Sequence, residues 1–144
     1  MTAPSGPGVV RCIQTAIARA GIKPEQIDLI NGHLTGTFAD PHEIRNWQNA
    51  LGLSSKKFPL IQATKSLVGH ALGAAGGIEC VAVILQLHHG FVHGSINCED
   101  LHPDLLDYRE KILLQTLYRD IKIVAKASFG FGDVNGCIIF KKWE

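Results

Sequence analysis

A layered α/β unit with a mixed sheet and a closing C-terminal β-hairpin is the fold class this sequence predicts, and three patterns carry that prediction. Amphipathic helical runs alternate with short apolar segments of strand length. Gly or Pro punctuates the changes between them. The C-terminal end holds two β-rich segments around a glycine-rich turn, the mark of a hairpin. With 144 residues, 46% of them hydrophobic, the chain can bury one core and is too short for two full domains. A single domain over 1–144 is expected.

Val9, Val10, Ile13, Ile17 and Ala20 recur at helical spacing, and Gly21 followed by Pro24 supplies a stop, so a helix is predicted over about 7–20. Pro24-Glu25-Gln26-Ile27 makes a single turn, and Asp28-Leu29-Ile30-Asn31 has the brevity and apolar content of a buried strand. After a Gly- and Thr-rich loop at 33–39, Asp40 stands at an N-cap with Pro41 at the first helical position and Glu43 three residues on. That helix is expected to reach about Leu51 and close at Gly52. Residues 59–63 read as a short strand, after which a loop delivers Lys65 and His70 to a helix running to about His89. This helix is so rich in Gly, Ala and apolar residues that it is expected to be buried. The stretch 91–108 is mixed, with a short extended piece expected at Gly94-Ser95-Ile96-Asn97. The hairpin pairs 121–129 with 137–141 across 130–136.

Fourteen basic residues against 13 acidic ones leave a net charge of +1, which gives no electrostatic footprint for nucleic acid. The four cysteines, Cys12, Cys80, Cys98 and Cys137, are scattered without a Cys-x-x-Cys pair, so a reducing, cytoplasmic setting is expected. The longest apolar stretch, near 80–87, falls short of a membrane span, and no membrane association is expected. The opening Met1-Thr2-Ala3-Pro4-Ser5-Gly6-Pro7-Gly8 reads as a loop leading into a helix, as in a piece of a longer protein.

Chemistry-bearing residues fall in three loops at predicted strand ends: His33 in the first, Lys65 and His70 in the second, and the 129–135 turn in the third. In layered α/β proteins sites gather where such loops meet. Two imidazoles, an ammonium and exposed backbone N–H groups suit stabilisation of an oxyanion or enolate better than hydrolysis by a triad.

Asn31-Gly32-His33-Leu34-Thr35-Gly36-Thr37, Thr64-Lys65-Ser66-Leu67-Val68-Gly69-His70-Ala71-Leu72-Gly73-Ala74-Ala75-Gly76 and Ser128-Phe129-Gly130-Phe131-Gly132-Asp133-Val134-Asn135 resemble, in order and separation, the three C-terminal motifs of the β-ketoacyl-[acyl carrier protein] synthases. These are condensing enzymes of fatty-acid and polyketide synthesis with the thiolase fold. The resemblance covers nearly the whole chain and implies a C-terminal half of that fold. It implies that His33 and His70 hydrogen-bond the malonyl thioester carbonyl and stabilise the enolate formed on decarboxylation. It makes Lys65 the lysine that orders the network beside His70, with Glu43 as its carboxylate partner. Thr35 and Thr37 would contact the phosphopantetheine arm, the Phe131 backbone N–H would join an oxyanion hole, and Phe129 would line the acyl pocket. No cofactor and no metal are implied.

Some residues depart from the family pattern. Leu34-Thr35-Gly36-Thr37-Phe38 replaces the usual Gly-Thr-Ser-Thr-Pro, and Asp133-Val134 replaces Gly-Thr. The family's acyl-accepting cysteine belongs to the N-terminal half, and no cysteine here has its strand-to-helix setting. The expected partners are therefore an N-terminal synthase half or partner subunit, acyl carrier protein, malonyl and acyl thioesters, and by family analogy a second copy in a dimer. An apolar surface that the missing half would cover is expected too.

Three other readings compete. His88, His89, His93, Cys98 and His102 crowd one region, but their spacings are loose for zinc and solvated loop histidines account for them. Gly130-x-Gly132 joins two strands instead of opening a helix, which is weak for a phosphate loop. The alternative from another class is a non-catalytic synthase-like subunit or fragment that binds acyl carrier protein, through a basic patch such as Arg45 with Lys56-Lys57, or that pairs with a catalytic subunit.

Overall fold

The structure is a computed structural model that describes residues 4–143; the part of the predicted opening loop at 1–3 lies outside the described residues. Helix α1 (Gly6–Ala20) starts where the Ser5 hydroxyl accepts the Gly8 N–H at 3.1 Å and ends at Gly21, whose φ of 64° only glycine adopts freely. Strand β1 (Leu29–Asn31), helix α2 (Asp40–Leu51) and strand β2 (Leu60–Gln62) follow as predicted. Then come the single turn α3 (Lys65–Val68), the long helix α4 (Ala75–His89), a small ribbon of β3 (Phe91–Val92) and β4 (Leu117–Tyr118), and the hairpin of β5 (Ile123–Gly130) and β6 (Val134–Lys141).

The main sheet has the order β2-β1-β5-β6. β1 is parallel to both β2 and β5, whereas β5 and β6 are antiparallel, so the sheet is mixed as expected. Strand alternation gives it two unlike faces. On one face Ile30, Ile61, Ala125, Ala127 and Phe129 pack with Ile13 of α1 and with Ile44 and Trp47 of α2. On the other, Leu29 and Val124 pack with Val83 and Leu87 of α4 and with Val92 and Ile121. Continuing along that second face toward the ends of the parallel strands, the next inward positions are polar: Asn31, Gln62 and Lys126, in one register row and all buried.

Three expectations are corrected. Helix α4 is buried along one side only: Ala75, Glu79, Val83, Gln86 and Leu87 face the sheet, while Ile78, Val81, Ile84 and Leu85 stand exposed. A helix apolar all round is covered on both sides only when something packs on each, and within this chain the sheet packs on one. The apolar helical segment is also longer than expected. Leu72–His89 is long and apolar enough to cross a membrane by length and composition, but its Glu79 is paired to two lysines on the sheet side. Finally, 94–97 forms no strand. Gly94 lies so close to the Leu114–Gln115 backbone that a Cβ would come within 2.7 Å of it, and Ser95 donates its N–H to the Leu113 carbonyl at 2.7 Å.

Candidate active site

The three motif loops meet at the C-terminal ends of the parallel strands. His33, two residues beyond β1, and His70, between α3 and α4, stand edge to face with ring centroids 5.3 Å apart. Phe129, buried near the end of β5, lies edge-on to His33 at 6.4 Å. Phe131 projects from the hairpin tip with its ring exposed.

The His33 loop is shaped by two carboxylates of α2. Glu43 accepts the backbone N–H of His33 at 2.8 Å and of Leu34 at 2.9 Å, with the Trp47 indole N–H at 3.4 Å. Asp40 accepts from Thr35 and Gly36, both at 3.0 Å. These side chains turn back to the loop and do not cap the helix, so the expected capping arrangement is not formed. Gly32 makes the arrangement possible, since a Cβ there would stand 2.9 Å from the Glu43 carboxylate. Burial pushes the Glu43 carboxyl up to about 7, against the pull of the two backbone donors. Thr35 and Thr37 sit on the open side of this loop with their hydroxyls 3.1 Å apart.

Lys65 opens α3 and is buried. Its expected partner was Glu43, and the structure corrects this: Lys65 pairs with Glu79, one turn into α4, while Glu43 is fully engaged by the His33 loop. The other Glu79 oxygen, Oε2, makes no directed hydrogen bond but lies 2.9 Å from the ammonium of a second buried lysine, Lys126. Lys126 also donates to the Ser128 hydroxyl.

A further chain of hydrogen bonds positions the floor of the site. Asn31 Nδ2 donates to Thr64 Oγ1 at 2.8 Å, and Thr64 Oγ1 lies 3.0 Å from His93 Nε2. His93 Nδ1 meets the Gly94 carbonyl at 2.9 Å. A carbonyl only accepts, so Nδ1 carries the proton and Nε2 accepts from the Thr64 hydroxyl. Burial lowers the His93 pKa, consistent with this neutral form. The segment at 94–96 clamps the second motif: Ser95 Oγ accepts the Ala63 N–H at 3.0 Å, and the Ile96 N–H donates to Ser66 Oγ at 3.2 Å.

The two site histidines differ in setting. His33 is half-buried, and burial first, then electrostatic interaction with Lys65 and His70, lowers its pKa to about 4. It is a neutral imidazole across the physiological range. His70 is exposed, and its Nδ1 accepts the Leu72 N–H at 3.1 Å, which leaves the proton of the neutral ring on Nε2. Leu72 makes that contact from a left-handed backbone, with a φ of 49°. The site thus presents ring N–H donors at the strand ends, that of His33 on a neutral imidazole, backed by buried positive charge, an arrangement suited to an oxyanion.

Thiol chemistry has no comparable support. Burial raises the pKa of Cys12 and of Cys98, and pushes the Cys137 thiol to about 12. Among the described residues, no three His, Cys, Asp or Glu side chains converge as a metal would require. Sequence reasoning missed Glu79, Lys126, Asn31, Thr64 and Ser95. An inward strand position occupied by Lys126, two residues after Val124, was the available signal for one of them.

The family profile "Beta-ketoacyl synthase, C-terminal domain" matches residues 1–99. The chain is 40% identical over 98% of its length to 3-oxoacyl-[acyl-carrier-protein] synthase II, chloroplastic, of Arabidopsis thaliana, spanning 26% of that protein. It is 38% identical over 99% of its length to 3-oxoacyl-[acyl-carrier-protein] synthase 1 of Escherichia coli K12, spanning 33% of it. Among solved structures, the ishigamide ketosynthase/chain length factor superposes with a TM-score of 0.90 at 32% identity over 99% of this chain and 34% of its own. A type II polyketide synthase acyl-carrier protein in complex with its ketosynthase gives a TM-score of 0.86 at 30% identity, over 100% of this chain and 35% of that one. The chain belongs to the β-ketoacyl synthase C-terminal domain family and has the thiolase-like ketosynthase fold. It spans about a third or less of the length of these relatives.

Proposed function

We propose that this chain is the C-terminal half of a β-ketoacyl-[acyl carrier protein] synthase, an acyltransferase, and contributes the decarboxylation side of the site. The observation that carries the reading is the convergence of His33, His70 and Phe129, with centroids 5.3 and 6.4 Å from His33, beside the Lys65–Glu79 pair.

In this reading the malonyl thioester carbonyl lies between His33 and His70 and accepts an N–H from each. As the carbon–carbon bond to the carboxylate breaks, carbon dioxide leaves and its bonding electrons become an enolate whose oxygen keeps both hydrogen bonds. Neutral donors stabilise that charge without surrendering a proton to it. The nucleophilic carbon then attacks an acyl thioester carbonyl, and the leaving thiolate belongs to a cysteine of the N-terminal half. The Phe131 N–H assists at that second oxyanion, Phe129 lines the acyl pocket, and Thr35 and Thr37 meet the pantetheine arm. Glu43 acts by shaping the His33 loop.

Acyl carrier protein is the delivering partner, as the solved complex of a related ketosynthase supports. Arg45 and the exposed Lys56-Lys57 turn are candidates for its docking, although Arg45 is already 3.6 Å from Asp104. The exposed side of α4 supports a second half or subunit there, and a dimer is proposed on the family's pattern. Four free thiols fit a reducing compartment such as the cytoplasm.

The test is to isolate the protein natively from its source, identify any cysteine-bearing half, and assay malonyl-thioester decarboxylation. Loss of activity in both His33→Ala and His70→Ala is expected. Decarboxylation that survives both substitutions overturns the reading. A chain found alone and inert supports the alternative of a non-catalytic carrier-binding or pairing subunit.

A further inference from the structure

Glu79 is held by two ammonium groups, and one would suffice to balance its charge. Lys65 occupies Oε1 and Lys126 stands 2.9 Å from Oε2, with all three side chains at most 5% exposed. The cluster is therefore a buried net positive charge. Lys126 comes from the middle of β5, where its register partner on β1 is Asn31, and its ammonium is bonded to Ser128 Oγ. The first turn of α4 lies over it, where a Cβ at Gly76 would stand 3.7 Å from Nζ, in ordinary van der Waals contact. Buried charge of this kind is poor stabilisation, since an apolar side chain of equal volume commonly serves a core as well or better. Its value must lie in what the charge does.

We propose that Lys126 is a positioning residue of this site, a fixed internal cation that holds Glu79, and through it Lys65, in place behind His33. The inference rests on the decarboxylation reading above and adds a residue to it. With an ammonium at each of its oxygens, Glu79 keeps Oε1 turned to Lys65 and Oε2 to Lys126. His33 then sits in a positive field with a partnerless, buried Nδ1. The charged groups acting on its ring are Lys65, His70, Glu79 and Lys126, and Glu43 bonds its backbone N–H. Three of the four ring neighbours oppose protonation of His33, and Lys126 is one of them.

The test uses Lys126→Met, which keeps the volume and removes the charge. In the whole 144-residue chain, the His33 ring is followed by NMR against pH, and its midpoint should move up from about 4. In the native assembly, kcat for decarboxylation should fall at least tenfold with KM little changed, because the loss acts on the developing enolate. Lys126→Ala leaves room for a small cation, and added ammonium should restore part of its rate. That rescue is a response a merely structural lysine would not give. An unchanged His33 midpoint in a folded Lys126→Met chain overturns the proposal. So does a Lys126→Ala protein whose loss is indifferent to ammonium. If the wild-type assembly is inert toward malonyl thioesters, the decarboxylation reading fails, and the His33 titration still decides the role of Lys126.

Discussion

Ser5 donates both its backbone N–H, at 2.9 Å, and its hydroxyl, at 2.8 Å, to the carboxylate of Asp133, so the N-terminus of α1 is tied to the hairpin tip that carries Phe131. Asn135 adds a third donor at 2.7 Å. These donors hold the Asp133 carboxyl below its ordinary value of 3.8. A depressed acid contributes stability that is present above its ordinary value and lost as pH falls through the folded one. Asp133→Ala is expected to speed amide exchange at 131–135 and in the first turn of α1. Gly8→Ala should do the same, because its Cβ would meet the Asp133 carboxylate at 2.6 Å. Hydrogen exchange read by mass spectrometry checks both, and unchanged protection contradicts the tie.

Glu43 sets a pH signature of opposite sign. Its carboxyl titrates near 7 when folded and near 4.5 otherwise, so the folded state binds the proton more tightly. Stability from this group is full below about 4.5, falls as pH rises, and is gone above about 7, a span of about 3 kcal/mol. The stability difference between wild type and Glu43→Gln, from urea unfolding, should shrink over that window and be flat on either side. A difference independent of pH would sink this account.

Removing Glu79 should be the costliest single change in the site. Glu79→Ala leaves two buried ammonium groups without a counter-charge, and loss of one partner from a buried pair typically costs about 3–5 kcal/mol. Equilibrium unfolding should show either that loss or no folded state. A loss under about 1 kcal/mol would mean the lysines find solvent that the structure does not provide.

Ser95 lies outside every motif yet should behave as a site residue. Ser95→Ala strands the buried Ala63 N–H, at a cost of about 1–3 kcal/mol, and loosens the segment that carries Lys65. Thermal melts should show the loss, and exchange at 63–68 should rise above that of the remaining core.

Much of this was legible because it is local. The α1 spacing ending at Gly21, the Asp40-Pro41 start and the alternation around the hairpin tip are written within a few residues of where they act, and the motif loops carried His33, His70 and Phe129 together. Pairings across space were not. Glu43, three residues after Asp40, reads as part of a helix start, and the sequence does not show that its carboxylate turns toward His33. The true partner of Lys65 lies 14 residues on in a helix whose apolar composition hides Glu79. Lys126 sits amid apolar strand residues, and its pairing with Glu79 shows only once the sheet assigns it to the α4 side. The open side of α4 could not be foreseen from composition, because a helix apolar all round carries no record of which neighbours are present.

Leu72 has a meaning for anyone who would make this protein sturdier. A left-handed leucine costs about 1–2 kcal/mol, and glycine at that position is the substitution a stability-guided redesign would choose early. Glycine would keep the N–H that His70 Nδ1 accepts but loosen the backbone that presents it. The sequence best matched to this backbone is then not the one that aims its histidine, and selection for heat resistance alone would be expected to erode the site from a residue that acts on it through its backbone.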